Sequence, residues 1–239
     1  MWIKLLFILC LWKGILSDLS PDHVQKLKES LFRNYDPTVR PNDKAGNVGN
    51  VTFAIKPICL IPSMSYVLGN IWYVMSWTDE RLTWDSDWGI DSLSLPQYLF
   101  WKPDIVLFKG GDGEHFNDKF PIVLFPNGKV ILMPSVSISH RCSGTIKDET
   151  QKNLLSYACD IPFGSWTHSA EVMNLDFYDG KAEVDNSSYD FETCFGKILP
   201  SAATREIKHY NGTVHKYITL TYHLRFEIHH GNPIEQTNE

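Results

Sequence analysis

From Lys216 to Ile228 apolar and polar positions alternate: Ile218, Leu220, Tyr222, Leu224, Phe226 and Ile228 are interleaved with Thr219, Thr221, His223, Arg225 and Glu227. A period of two places the apolar set on one face of a β-strand, and that face must be buried. Further strand runs are VTFAIKPICLI (51–61), NIWYVMSWTDERLTW (70–84), DIVLF (104–108), PIVLF (121–125), KVILM (129–133), SVSISHRC (135–142) and SAEVMNLDF (169–177). Pro126-Asn127-Gly128 and Asn211-Gly212 read as hairpin connections, because Asn-Gly pairs adopt the backbone that a tight turn between strands needs. One helix is expected: Ser20 can cap it, Pro21 suits its first position, and Val24, Leu27, Leu31 and Phe32 recur at helical spacing before Asp36-Pro37 stops it. Short strands, frequent turns and a single helix describe an all-β, antiparallel sandwich.

The first 17 residues change the picture only at the N-terminus. Lys4, the apolar core Leu5–Trp12 and small Ser17 form a secretory signal, too short an apolar run to cross a membrane. Residues 1–17 are therefore expected to leave and 18–239 to form one domain. Losing Lys4 and Lys13 takes the formal net charge from −6 to −8, which argues against nucleic acid and mildly favours cations. Cys10 leaves with the signal, so Cys59, Cys142, Cys159 and Cys194 remain in a compartment that permits disulfides. Sequons at Asn50, Asn186 and Asn211 agree with that route.

The chain carries no G-x-S-x-G elbow, no HExxH helix and no metal-spaced cysteine cluster, and its nine histidines are scattered. An enzyme is not expected, nor a cofactor or a metal. The acidic groups of KGGDGEHFND (109–118) are of a calcium-ligand type, but their irregular spacing reads as a solvated loop. What stands out is the aromatic supply of eight Trp, ten Tyr and thirteen Phe, many beside polar turn residues. Rings brought in from several loops are the raw material of a cage for a quaternary or protonated amine.

WTDERLTW (77–84), WKPDI (101–105), NGKVILMPS (127–135), the Cys142 and Cys159 pair and GSWTH (164–168) carry a family resemblance. Through them the chain resembles the extracellular ligand-binding domain of the Cys-loop (pentameric ligand-gated) receptors, in particular its soluble acetylcholine-binding branch. The resemblance runs from the N-terminal helix to the last strand. It implies a ten-stranded immunoglobulin-like β-sandwich with a short N-terminal helix, assembled as a homopentamer that holds a small cationic amine between subunits. It further implies a disulfide between Cys142 and Cys159, and Phe108, Trp166, Tyr210 and Tyr217 on the principal face of the site. Trp72, Ile131 and Met133 would come from the neighbouring subunit. A secreted protein without membrane insertion is the expected form. An extracellular part of a channel subunit, and a pentameric structural protein that lost the small-molecule site, are the alternatives.

The chain departs from that family in three places. Gly212 and Thr213 occupy the hairpin tip where acetylcholine-binding members carry adjacent cysteines, so that contact is lost. Phe108 stands where a tyrosine is usual, and one missing hydroxyl hydrogen bond costs on the order of 1 kcal/mol. The segment SGTIKDETQKNLLSYA between Cys142 and Cys159 is longer than usual and hydrophilic, as suits a chain with no membrane domain to touch; closing it stabilises by roughly 3 kcal/mol in the chain-entropy model. Cys59 and Cys194 match no family disulfide, leaving an extra bridge or two buried thiols; two thiols are the expectation.

Overall fold

The computed structural model describes residues 21–41, 49–62, 65–108, 115–116, 119–142, 145–147, 154–189, 194, 197–210 and 212–229. The signal segment, Ser20, Asn211 and most of the 109–118 loop lie outside the described residues.

Helix α1 (Pro21–Phe32) buries Leu27 and Leu31 and packs Val24 and Phe32 against the core, the four positions that its spacing singles out. Behind it come β1 (Gly49–Pro62), β2 (Tyr66–Thr78), β3 (Leu93–Leu95), β4 (Ile105–Leu107), β5 (His115–Phe116), β6 (Ile122–Leu124) and β7 (Lys129–Leu132). The order continues with β8 (Ser135–Arg141), β9 (Thr145–Lys147), β10 (Leu154–Ser165), β11 (Met173–Phe177), β12 (Lys197–Ile198), β13 (Ala203–His209) and β14 (Lys216–His229). Some segments are one strand interrupted by proline, which cannot donate to a ladder. Thus β7 and β8 both pair with β2 on either side of Met133-Pro134, and β12 and β13 both pair with β14 on either side of Leu199-Pro200.

One sheet runs β11-β1-β2-β7-β6-β3, with β8 also on β2; the other runs β12-β14-β10-β4, with β13 also on β14. The pairing is antiparallel except that β11 lies parallel to β1, Gly49 opposite Met173 through Phe53 opposite Phe177. That parallel pair corrects the fully antiparallel expectation. Its connection is not a hairpin, because β11 arrives from the opposite sheet after β10.

Phe53 of β1 joins the two sheets: its ring centroid lies 5.2 Å from Tyr73, 4.9 Å from Phe163 and 6.2 Å from Tyr222. The Tyr222 hydroxyl donates to the Phe53 carbonyl at 3.0 Å, giving the buried phenol the partner it requires. On β14 the alternation holds, with Ile218, Leu220, Tyr222, Leu224 and Phe226 buried. Thr219 is buried too, although it belongs to the opposite face. Its ladder partner is Gly164, and a Cβ on Gly164 would meet the Phe108 ring at 2.6 Å and the Ile218 carbonyl at 2.7 Å. The glycine of GSWTH therefore makes room for an aromatic ring lying on the outer face of the sheet.

Cys142 is bonded to Cys159, and Cys59 is bonded to Cys194. The second bond corrects the expectation of two thiols. Chain folding brings the two Cα atoms to 5.3 Å across 135 positions of sequence, within disulfide reach, and nothing in local spacing foretells such an approach. The Asn211-Gly212 connection is also wider than a two-residue hairpin. The ladder closes at His209 opposite Lys216, which leaves 210–215 as the tip, with Gly212 at φ +89° and the Thr213 N–H donating to the Tyr210 carbonyl at 3.1 Å.

Candidate functional site

Four segments of the second sheet deliver aromatic rings to one place. Phe108 follows β4, Trp166 follows β10, Tyr210 follows β13 and Tyr217 opens β14. With Ser165 and Thr213 they line a cavity of about 430 Å³. Trp166 is 72% exposed and Tyr210 44%. Two large rings left in water on the lining of one cavity form an exposed aromatic patch, which is more informative than either ring alone. The Tyr210 and Tyr217 rings meet edge to face at 5.7 Å, and the Thr213 hydroxyl bridges the Tyr210 and His215 carbonyls at 3.1 and 3.2 Å.

The turn that presents Trp166 is fastened by Asp104 of WKPDI. Asp104 Oδ2 accepts from the Thr167 N–H and hydroxyl, both at 2.7 Å, and Oδ1 faces the Ser165 hydroxyl and His168 Nδ1 at 2.5 and 2.9 Å. The Trp166 N–H donates to the Asp104 carbonyl at 3.2 Å. Ser, His and Asp stand together here, but the serine hydroxyl points at the carboxylate and the imidazole uses the same Nδ1 toward both partners. That arrangement is a loop clamp and not a nucleophile–base–orienter relay.

Burial pushes the Asp104 carboxyl up, but the hydrogen bonds from Ser165, Thr167 and His168 and the Thr167 N–H outweigh it and hold it below the usual carboxylate range. A carboxyl depressed in the folded state adds stability that is present above the unfolded value, about 3.9. That contribution is lost as the pH falls through the lower folded value. Asp104→Asn is therefore expected to flatten the stability profile below about pH 4, measured by urea unfolding across pH 2–6. An unchanged acid profile would refute the clamp's charge.

The other three expected residues lie on the first sheet. Trp72 is half-buried on the outward face of β2, opposite Lys56 and Ser135. Ile131 is outward on β7 opposite Ser76, and Met133, 38% exposed, follows it. Within one chain they do not join the cavity of the second sheet; two different faces carry the two groups. Asn50 is exposed at the start of β1, its Oδ1 accepting from Asn174 Nδ2 at 3.0 Å. Asn186 heads a turn closed by the Tyr189 N–H at 3.0 Å.

Sequence pattern alone assigned no role to Asp104, Thr167 or His168, although all three sit in quoted motifs; the signal available was that WKPDI is polar just before a strand begins and GSWTH just where one ends. Among the described residues no group of three His, Cys, Asp or Glu side chains is arranged to hold a metal, and no helix is long and apolar enough to cross a membrane.

The neurotransmitter-gated ion-channel ligand binding domain model matches residues 24–228. An acetylcholine receptor subunit beta-like 1 of Drosophila melanogaster is 34% identical over 69% of the chain and 32% of that protein. The human neuronal acetylcholine receptor subunit beta-3 is 30% identical over 67% of the chain and 38% of that protein. The chain thus spans about a third of the length of these curated relatives. Among solved structures, a Capitella teleta AChBP in complex with lobeline superposes with a TM-score of 0.72 at 23% identity, covering 86% of this chain and 98% of that one. At that identity the likeness establishes the sandwich fold.

Proposed function

This chain belongs to the neurotransmitter-gated ion-channel ligand-binding domain family, and we propose that it is a secreted binding protein for a small cationic amine, held in an aromatic cage between subunits of a homopentamer. The observation that carries the reading is the convergence of Phe108, Trp166, Tyr210 and Tyr217 on one cavity. The second group, Trp72, Ile131 and Met133, faces outward on the other sheet, so a neighbouring copy is the natural source of the missing wall. Signal cleavage near Ser17 and glycans at Asn50, Asn186 and Asn211 belong to the same proposal.

A ring that loses water to a cation contributes about 1–2 kcal/mol, so five rings give a gross gain of about 5–10 kcal/mol. After ordering costs, with apolar contact added, an affinity near micromolar, about −8 kcal/mol, is reasonable. Titrating tryptophan fluorescence with acetylcholine, nicotine and serotonin is expected to give a saturable change with at least one of them. Silence toward all three sinks the cage. A sedimentation measurement giving a monomer would remove the pentamer.

A second reading is favoured by the relatives, which are receptor subunits about twice as long: the chain would be the extracellular part of a channel subunit. It expects a transcript that continues past Glu239 into hydrophobic segments, and a stop codon there would end it.

A further inference from the structure

The outward face that carries Trp72 also carries a charge pair. Lys56 is the cross-strand partner of Trp72 in β1–β2, so the two side chains leave the same face about 5 Å apart at Cβ. Lys56 Nζ reaches Asp185 Oδ2 at 2.7 Å, and the Ser187 N–H donates to Asp185 Oδ1 at 3.0 Å. The pair lines a cavity of about 580 Å³ together with Tyr178, Val184 and Asn186. Its hydrogen bond to Lys56, then that from Ser187, holds the Asp185 carboxyl down at about 2, so it stays ionised throughout the physiological range. Lys181, Asp179 and Glu183 border the same cavity but are exposed, where water and salt screen them.

We infer that the Lys56–Asp185 pair sets the charge preference of the amine site, Asp185 neutralising an ammonium group that would otherwise stand beside Trp72 and repel a cationic ligand. This rests on the reading that Trp72 walls that site. The bare structural alternative is that the pair only fastens the 184–186 segment to β1. The two differ in what the ligand's charge does. A lost fastening disturbs charged and uncharged ligands alike, whereas an uncovered ammonium disturbs the cation alone.

The probes are acetylcholine and its uncharged carbon isostere, 3,3-dimethylbutyl acetate, with affinities measured on the assembled protein at low salt. Asp185→Asn is expected to weaken acetylcholine roughly three- to tenfold, as one unit charge about 10 Å away does at an effective dielectric of about 25–50 in a largely solvated setting, and to leave the isostere within about twofold. The Lys56→Gln/Asp185→Asn double variant should restore acetylcholine to within about twofold of the wild type, and about 0.5 M salt should erase most of the single variant's defect. Equal loss for both probes, or no loss for either, overturns the pair's role while leaving the amine reading standing. If the wild type binds neither probe, the amine reading fails and this inference falls with it.

Discussion

Trp166→Ala is expected to weaken amine binding roughly a hundredfold, about 2–3 kcal/mol, while leaving the unfolding midpoint in place. The two halves of that result have separate causes. Trp166 is 72% exposed, so its ring contributes little to the core, and surface substitutions of that kind move stability by no more than about 0.5 kcal/mol. Its backbone is fixed independently of the ring, by Asp104 through the Trp166 N–H, Ser165, Thr167 and His168, so the turn survives the truncation. What disappears is the most exposed of the rings lining the cavity, which it shares with Phe108 and the Tyr210–Tyr217 pair. Trp166→Phe should recover part of the loss, because phenylalanine keeps a π-face of weaker cation affinity. Isothermal titration with the best amine from the fluorescence series, alongside thermal unfolding, checks both halves. Binding unchanged in the alanine variant would remove Trp166 from the site.

Where alternation was strong the fold could be read directly. The buried face of β14 and the four apolar positions of α1 follow from period alone, since each faces one core and one solvent. Strand β10 was hidden because LLSYACDIPFGS mixes Ser156, Asp160, Pro162 and Gly164 into its sequence, yet it is the partner of β14 over eleven positions. Those residues occupy the outward face, where Asp160 meets His223 Nδ1 at 2.7 Å and Gly164 admits the Phe108 ring. Strand β13 was hidden likewise, since six of its seven residues are exposed or half-buried and no apolar face marks it. The grouping of Phe108, Trp166, Tyr210 and Tyr217 around one cavity was foreshadowed only by the family resemblance. Period and composition show that rings are abundant, but not that loops from four strands converge. The Cys59–Cys194 bond and the Lys56–Asp185 pair join positions more than 120 residues apart, and contacts of that range leave no local signature.

Asp79→Ala is expected to cost about 3 kcal/mol, lowering the unfolding temperature of a domain of this size by roughly 6–12 °C. The strand run expected over 70–84 holds WTDER in its interior, but β2 ends at Thr78, and Asp79 just beyond it is fully buried and takes four donors. Arg81 Nε and Nη2 grip its two oxygens at 2.8 and 2.7 Å, the Tyr35 hydroxyl donates at 2.8 Å and the Arg81 N–H at 3.1 Å. A buried carboxylate is sustained only by such partners, and removing it strands them. Arg81 is partly exposed and can turn to water, which keeps the loss at the lower end of the range for a broken buried pair. The Tyr35 hydroxyl cannot follow so readily. It also accepts the Trp101 N–H at 3.0 Å, and the Arg81 guanidinium lies 4.4 Å over its ring. Trp101 in turn packs edge to face on Trp77 at 5.9 Å and on His168 at 6.2 Å, and His168 belongs to the clamp behind Trp166. The loss should therefore reach the cavity, weakening amine affinity in Asp79→Ala as well as stability, opposite to Trp166→Ala, which separates the two. Asp79→Asn keeps the shape and gives up the charge, so it should fall between wild type and alanine. Urea unfolding measures all three, and a cost below about 1 kcal/mol for the alanine variant would show that Arg81 and Tyr35 are satisfied without the carboxylate.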